Sequence, residues 1–155
     1  LRAYDRLLND AQRFDNVLDL GCGTAVLAMS AARVGAASVL ASDIDPVAVE
    51  VALANVKANG LEGQVGCVEA IGFDSPVVQA GAPFDLIFAN ILKGPLIELA
   101  PEMAAHLAPG GLAIVSGLLI EQAEDIVEAY QAQGFDLQTR EDLGEWSALT
   151  LRRHQ

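Results

Sequence analysis

Two short stretches of this sequence hold residues whose types and spacing can do chemistry. The first is DLGCGTA, Asp19 to Ala25. Gly21 and Gly23 let the backbone turn tightly after an apolar run and lie flat against a ligand. The amides that open the next helix then point into the same space. A second apolar run ends at Asp43, 20 residues after Gly23, the offset of an acid that grips ribose hydroxyls. The other stretch is FANILKGPL, Phe88 to Leu96. There a strand-like run ends in an amide side chain, Asn90, followed by Gly94-Pro95.

Two nucleotide-like cofactors use such a glycine turn. The dinucleotide fingerprint asks for glycine or alanine at its sixth position, and Val26 stands there. A β-branched residue at that point is expected to push the helix off the sheet and crowd a pyrophosphate. Asp19 would add a negative charge beside it. Both features oppose NAD and suit S-adenosylmethionine, whose sulfonium and ammonium are positive. The candidate cofactor residues are Asp19, Gly21, Cys22, Gly23, Asp43, Ile44 and Asn90. Asp45 reads as the cap of the helix that follows. Ala25 stands where methyltransferases of this kind usually have a third glycine. The loop tolerates alanine if φ is negative there and is strained if φ is positive.

With that cofactor, Asn90 falls where a methyl group meets its acceptor. An attacking amine gains positive charge on nitrogen, so the site needs acceptors aimed at the amine hydrogens. The Asn90 side-chain oxygen and the Ile91 backbone carbonyl are the candidate catalytic groups. An Asp would instead hold a lysine as ammonium, which has no lone pair to give. The competing reading makes Asn90 a turn residue, but Gly94-Pro95 is expected to supply the turn.

The elements that must position these residues alternate. NVLDLG, ASVLASD, QVGCVEA, PFDLIFAN and GLAIVSG read as strands; the helical stretches between and after them include TAVLAMSAARVG, DPVAVEVALANVKANG and IEQAEDIVEAYQAQG. PLIELAPEMAAHLAPGG reads as helix broken at Pro101. FDLQTRE and EWSALTLRR alternate like a closing antiparallel pair. The expected fold is a Rossmann-like, doubly wound α/β domain. Its sheet is seven-stranded and mostly parallel, with helices on both faces and a C-terminal antiparallel strand. One domain, 1–155, is expected. The opening LRAYDRLLNDA puts Leu1, Tyr4, Leu7, Leu8 and Ala11 on one helical face. Trp146, Tyr130 and Phe135 read as core. Phe73 or Ile71 is expected to give apolar contact to an adenine, with Glu69 near it or simply solvated. Ser116 and Gly117 are expected to border the substrate channel, and His106 to lie at a helix end.

Composition narrows the function. Of 155 residues, 52% are apolar and 19% charged, with a net charge of −12. That is a globular composition, and it argues against a nucleic-acid footprint, which needs Lys and Arg. It fits a basic protein partner or a cationic ligand. No apolar run reaches the ~20 residues of a membrane span. Cys22 and Cys67 lack metal-type spacing and read as buried, reduced thiols of a cytoplasmic protein.

The motifs VLDLGCGT, ASDIDPVAVEVALANVKANG, FDLIFANIL, GPLIELAP, LAPGG and SGLL occur in this order. In this they resemble the family of methyltransferases that modify ribosomal protein L11. The resemblance runs from about Leu1 to Arg153, and NIL followed by GPLIELAP is its specific part. It implies methylation of lysine side chains and an N-terminal amine of a ribosomal protein. Gly21, Gly23 and Asp43 would then hold the cofactor, Asp19 would lie near its amino-acid end, and Asn90 and Ile91 would meet the amine. Lys93 departs from the family's small residue and reads as an exposed loop lysine. The resemblance also implies that the family's N-terminal recognition domain, and a cofactor-covering Gly-, His- and Thr-containing segment, lie outside this chain. The alternatives are a methyltransferase for another amine or amide, and a non-catalytic module that binds cofactor or protein.

Overall fold

The computed structural model describes residues 1–155. Helix α1 (Arg2–Asn9) leads into strand β1 (Asn16–Leu20), followed by α2 (Val26–Arg33), β2 (Ser38–Asp43), α3 (Pro46–Ala58) and β3 (Val65–Glu69). Then come α4 (Pro76–Gly81), β4 (Phe84–Asn90), α5 (Lys93–Glu98), α6 (Ala100–His106) and β5 (Leu107–Leu119). A 3₁₀ turn (Ile120–Gln122) opens α7 (Ala123–Gln131), and β6 (Phe135–Leu143) and β7 (Trp146–Arg153) close the chain.

The seven strands lie in the order β3-β2-β1-β4-β5-β7-β6. β1 pairs in parallel with β2 and β4, and β4 with β5. β7 is antiparallel to both β5 and β6. The chain therefore starts in the middle of the sheet, winds out to β3, and returns to β4. That reversal between β1 and β4 is the switch point where a doubly wound sheet leaves a crevice.

Both faces are covered, as a parallel sheet requires. Leu18 and Leu20 of β1, with Ile87 and Ala89 of β4, pack under α5–α7. Val17, Leu86 and Phe88 point the other way, against α1–α3. Helix α2 presents Ala28, Ala31 and Ala32 to the sheet, all buried. Such small residues let the helix approach β1 closely. Helix α3 starts as its sequence predicts: Asp45 Oδ1 accepts the Val47 N–H at 2.9 Å, and Pro46 occupies the first turn.

Several details differ from expectation. The predicted break at Pro101 falls at Leu99, between α5 and α6, with Pro101 in the first turn of α6. Gly94-Pro95 is no turn: both lie in the first turn of α5, where a missing N–H costs nothing. The short helix α4 is not among the expected elements, although Ser75-Pro76 stands at its start as a helix-opening pair. β5 extends beyond GLAIVSG at both ends. In the opening helix Tyr4 and Leu7 are buried, but Leu1 and Ala11 are exposed. No helix is long and apolar enough to cross a membrane.

One clasp fixes the edge from which the central strands start. Asp85 Oδ2 accepts the Asp15 and Asn16 amides, each at 2.9 Å. Asn16 Nδ2 in turn donates to the Gly81 and Pro83 carbonyls at 2.7 and 2.9 Å. Replacing Asp85 by Ala removes a charged acceptor from two amides and is expected to cost about 1.5–3 kcal/mol. Urea unfolding measures it, and a change below about 0.5 kcal/mol, the level of an ordinary surface substitution, would show that the clasp contributes nothing.

Candidate active site

The glycine turn leaves β1 at Leu20. Gly21 and Gly23 both have positive φ, +70° and +53°. The amides of Gly21 and Cys22 donate to the Ser42 carbonyl of β2 at 2.8 and 2.9 Å. Asp43, at the end of β2, reaches back: its Oδ2 accepts the Gly23 amide at 2.9 Å and its Oδ1 the Asp45 amide at 3.0 Å. An added Cβ on Gly23 would meet nothing within 4 Å, so bare backbone borders open space there.

Ala25 is the N-cap residue of α2, with φ 61° and ψ 26°. This is the left-handed region, the strained case of the two weighed above, and it costs roughly 1–2 kcal/mol for an L-residue. An alanine side chain cannot cap the helix. Asp19 does so from β1, its Oδ2 accepting the Ala28 amide at 2.9 Å.

Asp19 is 2% exposed. Burial pushes its carboxyl up to about 7, against the lowering effect of the Ala28 bond, with the Asp43 charge raising it further. Asp19 is therefore not the fixed negative charge expected beside a pyrophosphate. In the ligand-free fold it is instead divided between its acid and carboxylate forms near neutrality. Cys22 is 7% exposed, and burial first, then the charges of Asp19 and Asp43, push its thiol up to about 12. It is a packing residue of the loop, not a nucleophile.

A cavity of about 1070 Å³ opens beside this loop. Asp19, Gly21, Cys22 and Gly23 line it from β1, and Asn90 and Ile91 from the tip of β4. Ser116 and Gly117 of β5 line it too, as their place at the strand end predicts. Asp43 and Ile44 lie outside that cavity, on the open surface at the β2 end. Ile44 is 62% exposed. The structure thus brings five of the seven candidate cofactor residues to one cavity and leaves two beside it.

The residues fit S-adenosylmethionine. Two glycines leave the turn without side chains, and a buried carboxyl whose charged form a cationic neighbour would favour lies on the cavity wall. Val26, expected to wedge α2 off the sheet, does not: it is 48% exposed and faces the cavity. No group of three or more His, Cys, Asp or Glu residues is placed to hold a metal ion.

Four further expectations change. Trp146 is not core; it is 57% exposed and lines the cavity with Leu92 and Leu143. Its side chain leaves the sheet on the face opposite Leu149 and Leu151, a parity its own strand displays. Phe73 is fully buried and stacks on His106 at 4.5 Å, so of the two only Ile71 is free to touch a ligand. Lys93 is not a free loop lysine but pairs with Asp125 of α7. Cys67 is half-buried, not fully buried.

Comparison with known proteins shows the family. The family model described as Ribosomal protein L11 methyltransferase (PrmA) matches residues 1–154. The chain belongs to this family. Its relatives include the ribosomal protein L11 methyltransferases of Brucella suis, 47% identical over 137 residues, and of Chelativorans sp., 49% identical over 138. These matches cover 88% and 89% of this chain and 48% of each relative. The chain therefore spans about half the length of the curated relatives it matches. The crystal structure of a ribosomal protein L11 methylase from Lactobacillus delbrueckii subsp. bulgaricus superposes with a TM-score of 0.83 at 31% identity, covering 93% of this chain and 72% of that one. A putative methyltransferase complexed with SAH shares the fold, with a TM-score of 0.79 at 18% identity, covering 97% of this chain and 48% of that one.

Asp19 of this family member yields a pH test. Its folded carboxyl titrates near 7, above the unfolded value near ~3.9. Between those values the native state keeps a proton that the unfolded state has lost. Its contribution to stability is therefore present below about pH 4 and disappears as pH rises through about 7. Asn at this position accepts the Ala28 bond without titrating. Asp19→Asn should gain stability relative to the parent as pH rises from 4 to 8, in urea unfolding without ligand. An unchanging difference across that range would place the Asp19 carboxyl in an ordinary aqueous setting.

Proposed function

We propose that this chain is the catalytic domain of an S-adenosylmethionine-dependent methyltransferase. Its target is an amine, lysine side chain or N-terminus, of ribosomal protein L11. The observation that carries this reading is one convergence. Asn90, the neutral end of β4, and the Ile91 carbonyl share a cavity with the glycine turn and Asp19. The family and the relatives' names support the substrate. The absence of a membrane-crossing helix and of any disulfide agrees with work on a cytoplasmic ribosomal protein.

S-adenosylmethionine supplies a methyl group on a positive sulfonium, open to in-line attack. The chain's own residues hold and aim. Asp43 offers the remaining lone pairs of its two oxygens to ribose hydroxyls while anchoring the Gly23 amide. Ile44 gives an apolar face next to it. Asp19 meets the positive amino-acid end, and the cationic neighbour favours its carboxylate form. Cys22 packs the turn from beneath. Asn90 Oδ1 and the Ile91 carbonyl accept hydrogen bonds from the target amine and so direct its lone pair. Trp146, Leu92 and Leu143 form an apolar mouth for an alkyl chain, and exclude water from its length. Recognition of the ribosomal protein by a further N-terminal domain is part of this proposal.

The test separates holding from transfer. Asn90→Ala is expected to bind S-adenosylhomocysteine within a few-fold of the parent in calorimetry. In a chain that carries the N-terminal recognition domain, the single-turnover rate of methyl transfer to L11 should fall by about 10²–10³, the loss for one preorganised polar contact. A parental single-turnover rate would reduce Asn90 to a strand-end residue. Tight NADH binding in the parallel titration would overturn the cofactor assignment itself.

A further inference from the structure

We infer that Gly117 is a positioning residue for the methyl acceptor: its bare backbone fixes where Asn90 Oδ1 and the Ile91 carbonyl sit. The inference rests on the amine-methylation reading above. Gly117 lies within β5, one residue past its last pairing with the tip of β4, where Asn90 is registered opposite Ser116. Its φ is +80°. A Cβ built on it would lie 2.6 Å from Asn90 Oδ1 and 3.3 Å from the Ile91 oxygen. Real Cβ atoms do not approach an oxygen that closely, so any side chain at 117 must move the amide.

The same strand tip is held from the other side. A Cβ on Gly21 would lie 2.4 Å from Ile91 Cγ2. The Ile91 side chain rests on the glycine turn while its carbonyl rests by Gly117. Asn90 and Ile91 thus lie between two glycines from different strands, both at positive φ. One glycine belongs to the cofactor turn and the other touches only the acceptor groups. This sandwich registers the amine acceptors against the turn without a hydrogen bond between them. Displacing a positioning group by about 1 Å can cost about 10²-fold in rate, and relief of the Gly117 overlap demands a shift of that order.

A control separates overlap from backbone strain. Gly134 has φ +81°, and a Cβ there would meet only His154 Nδ1, at 3.7 Å. Gly117→Ala and Gly134→Ala therefore both put alanine at nearly the same positive φ, and only the first carries the overlap. The readouts are the Asn90 side-chain amide signal in ¹⁵N-labelled protein, thermal unfolding, calorimetry with S-adenosylhomocysteine, and single-turnover transfer to L11. Gly117→Ala should shift the Asn90 signal, lower Tm more than Gly134→Ala, keep ligand affinity within a few-fold, and slow transfer about 10²-fold. In the Asn90→Ala background, adding Gly117→Ala should cost little further rate and no more Tm than Gly134→Ala does.

An unmoved Asn90 signal, or a Tm loss equal to that of Gly134→Ala, overturns the inference. If Gly117→Ala fails to fold, the double variant decides. Recovery with Asn90→Ala supports the overlap, and failure to recover overturns it. If the parent, joined to the N-terminal recognition domain, transfers no methyl to L11, the amine-methylation reading fails at that substrate, while the Asn90 signal and the Tm comparison still judge the role of Gly117.

Discussion

Helix α2 starts without a side-chain cap of its own, and the site depends on how that deficit is met. Four amides at a helix start lack partners within the helix. Ala25 offers none of them an acceptor, so Asp19 supplies one from inside the sheet at 2.9 Å. The reach is possible because Ala28, Ala31 and Ala32 let α2 lie close to β1. The arrangement has an electrostatic consequence. The cap must be buried to do its work, and burial is what raises its carboxyl to about 7. Asp43, half-buried, performs a related task, tying the Gly23 amide to the start of the next loop. The glycine turn is thus strung between two acids at the ends of neighbouring strands.

Ala25 adds strain to the same turn. A left-handed alanine is disfavoured by roughly 1–2 kcal/mol, while burial of its methyl group returns about 0.8 kcal/mol. Burial thus offsets about half of the strain and leaves a net cost below about 1.2 kcal/mol, small enough for the turn to keep its shape with alanine where a glycine is usual. The methyl group is fully buried and faces the core, so it does not intrude on the cavity.

The sequence displayed what is periodic or local. Strand and helix order, the Asp45 cap and the interruption near Pro101 rest on near neighbours, and all could be read before the fold was known. Trp146 was also readable. Its position alternates with Leu149 and Leu151 and shares parity with Arg152, yet aromatic bulk suggested core. Other features depend on distant partners. Lys93 meets Asp125 across 32 residues, and Phe73 is buried against His106. Gly117 shows its importance only when β4 and β5 are side by side, because its spacing from Asn90 says nothing about what a missing Cβ makes room for.

The acids of the cavity mouth bear on the proposed chemistry. The chain carries −12, a field that draws a cationic target in but also favours the protonated amine, which cannot attack. The mouth avoids part of this conflict. Glu141 pairs with Arg6 at 3.4 Å, and Asp142 with Arg140 at 3.1 Å. The carboxylates that line the cavity on this side therefore have positive partners of their own. The group proposed to meet the amine is the neutral Asn90, at the exposed end of β4. Attraction is thus spread over the surface, while the point of reaction offers acceptors without a countercharge. An ammonium arriving there finds little to reward keeping its proton, and an amine finds its hydrogens bound and its lone pair free.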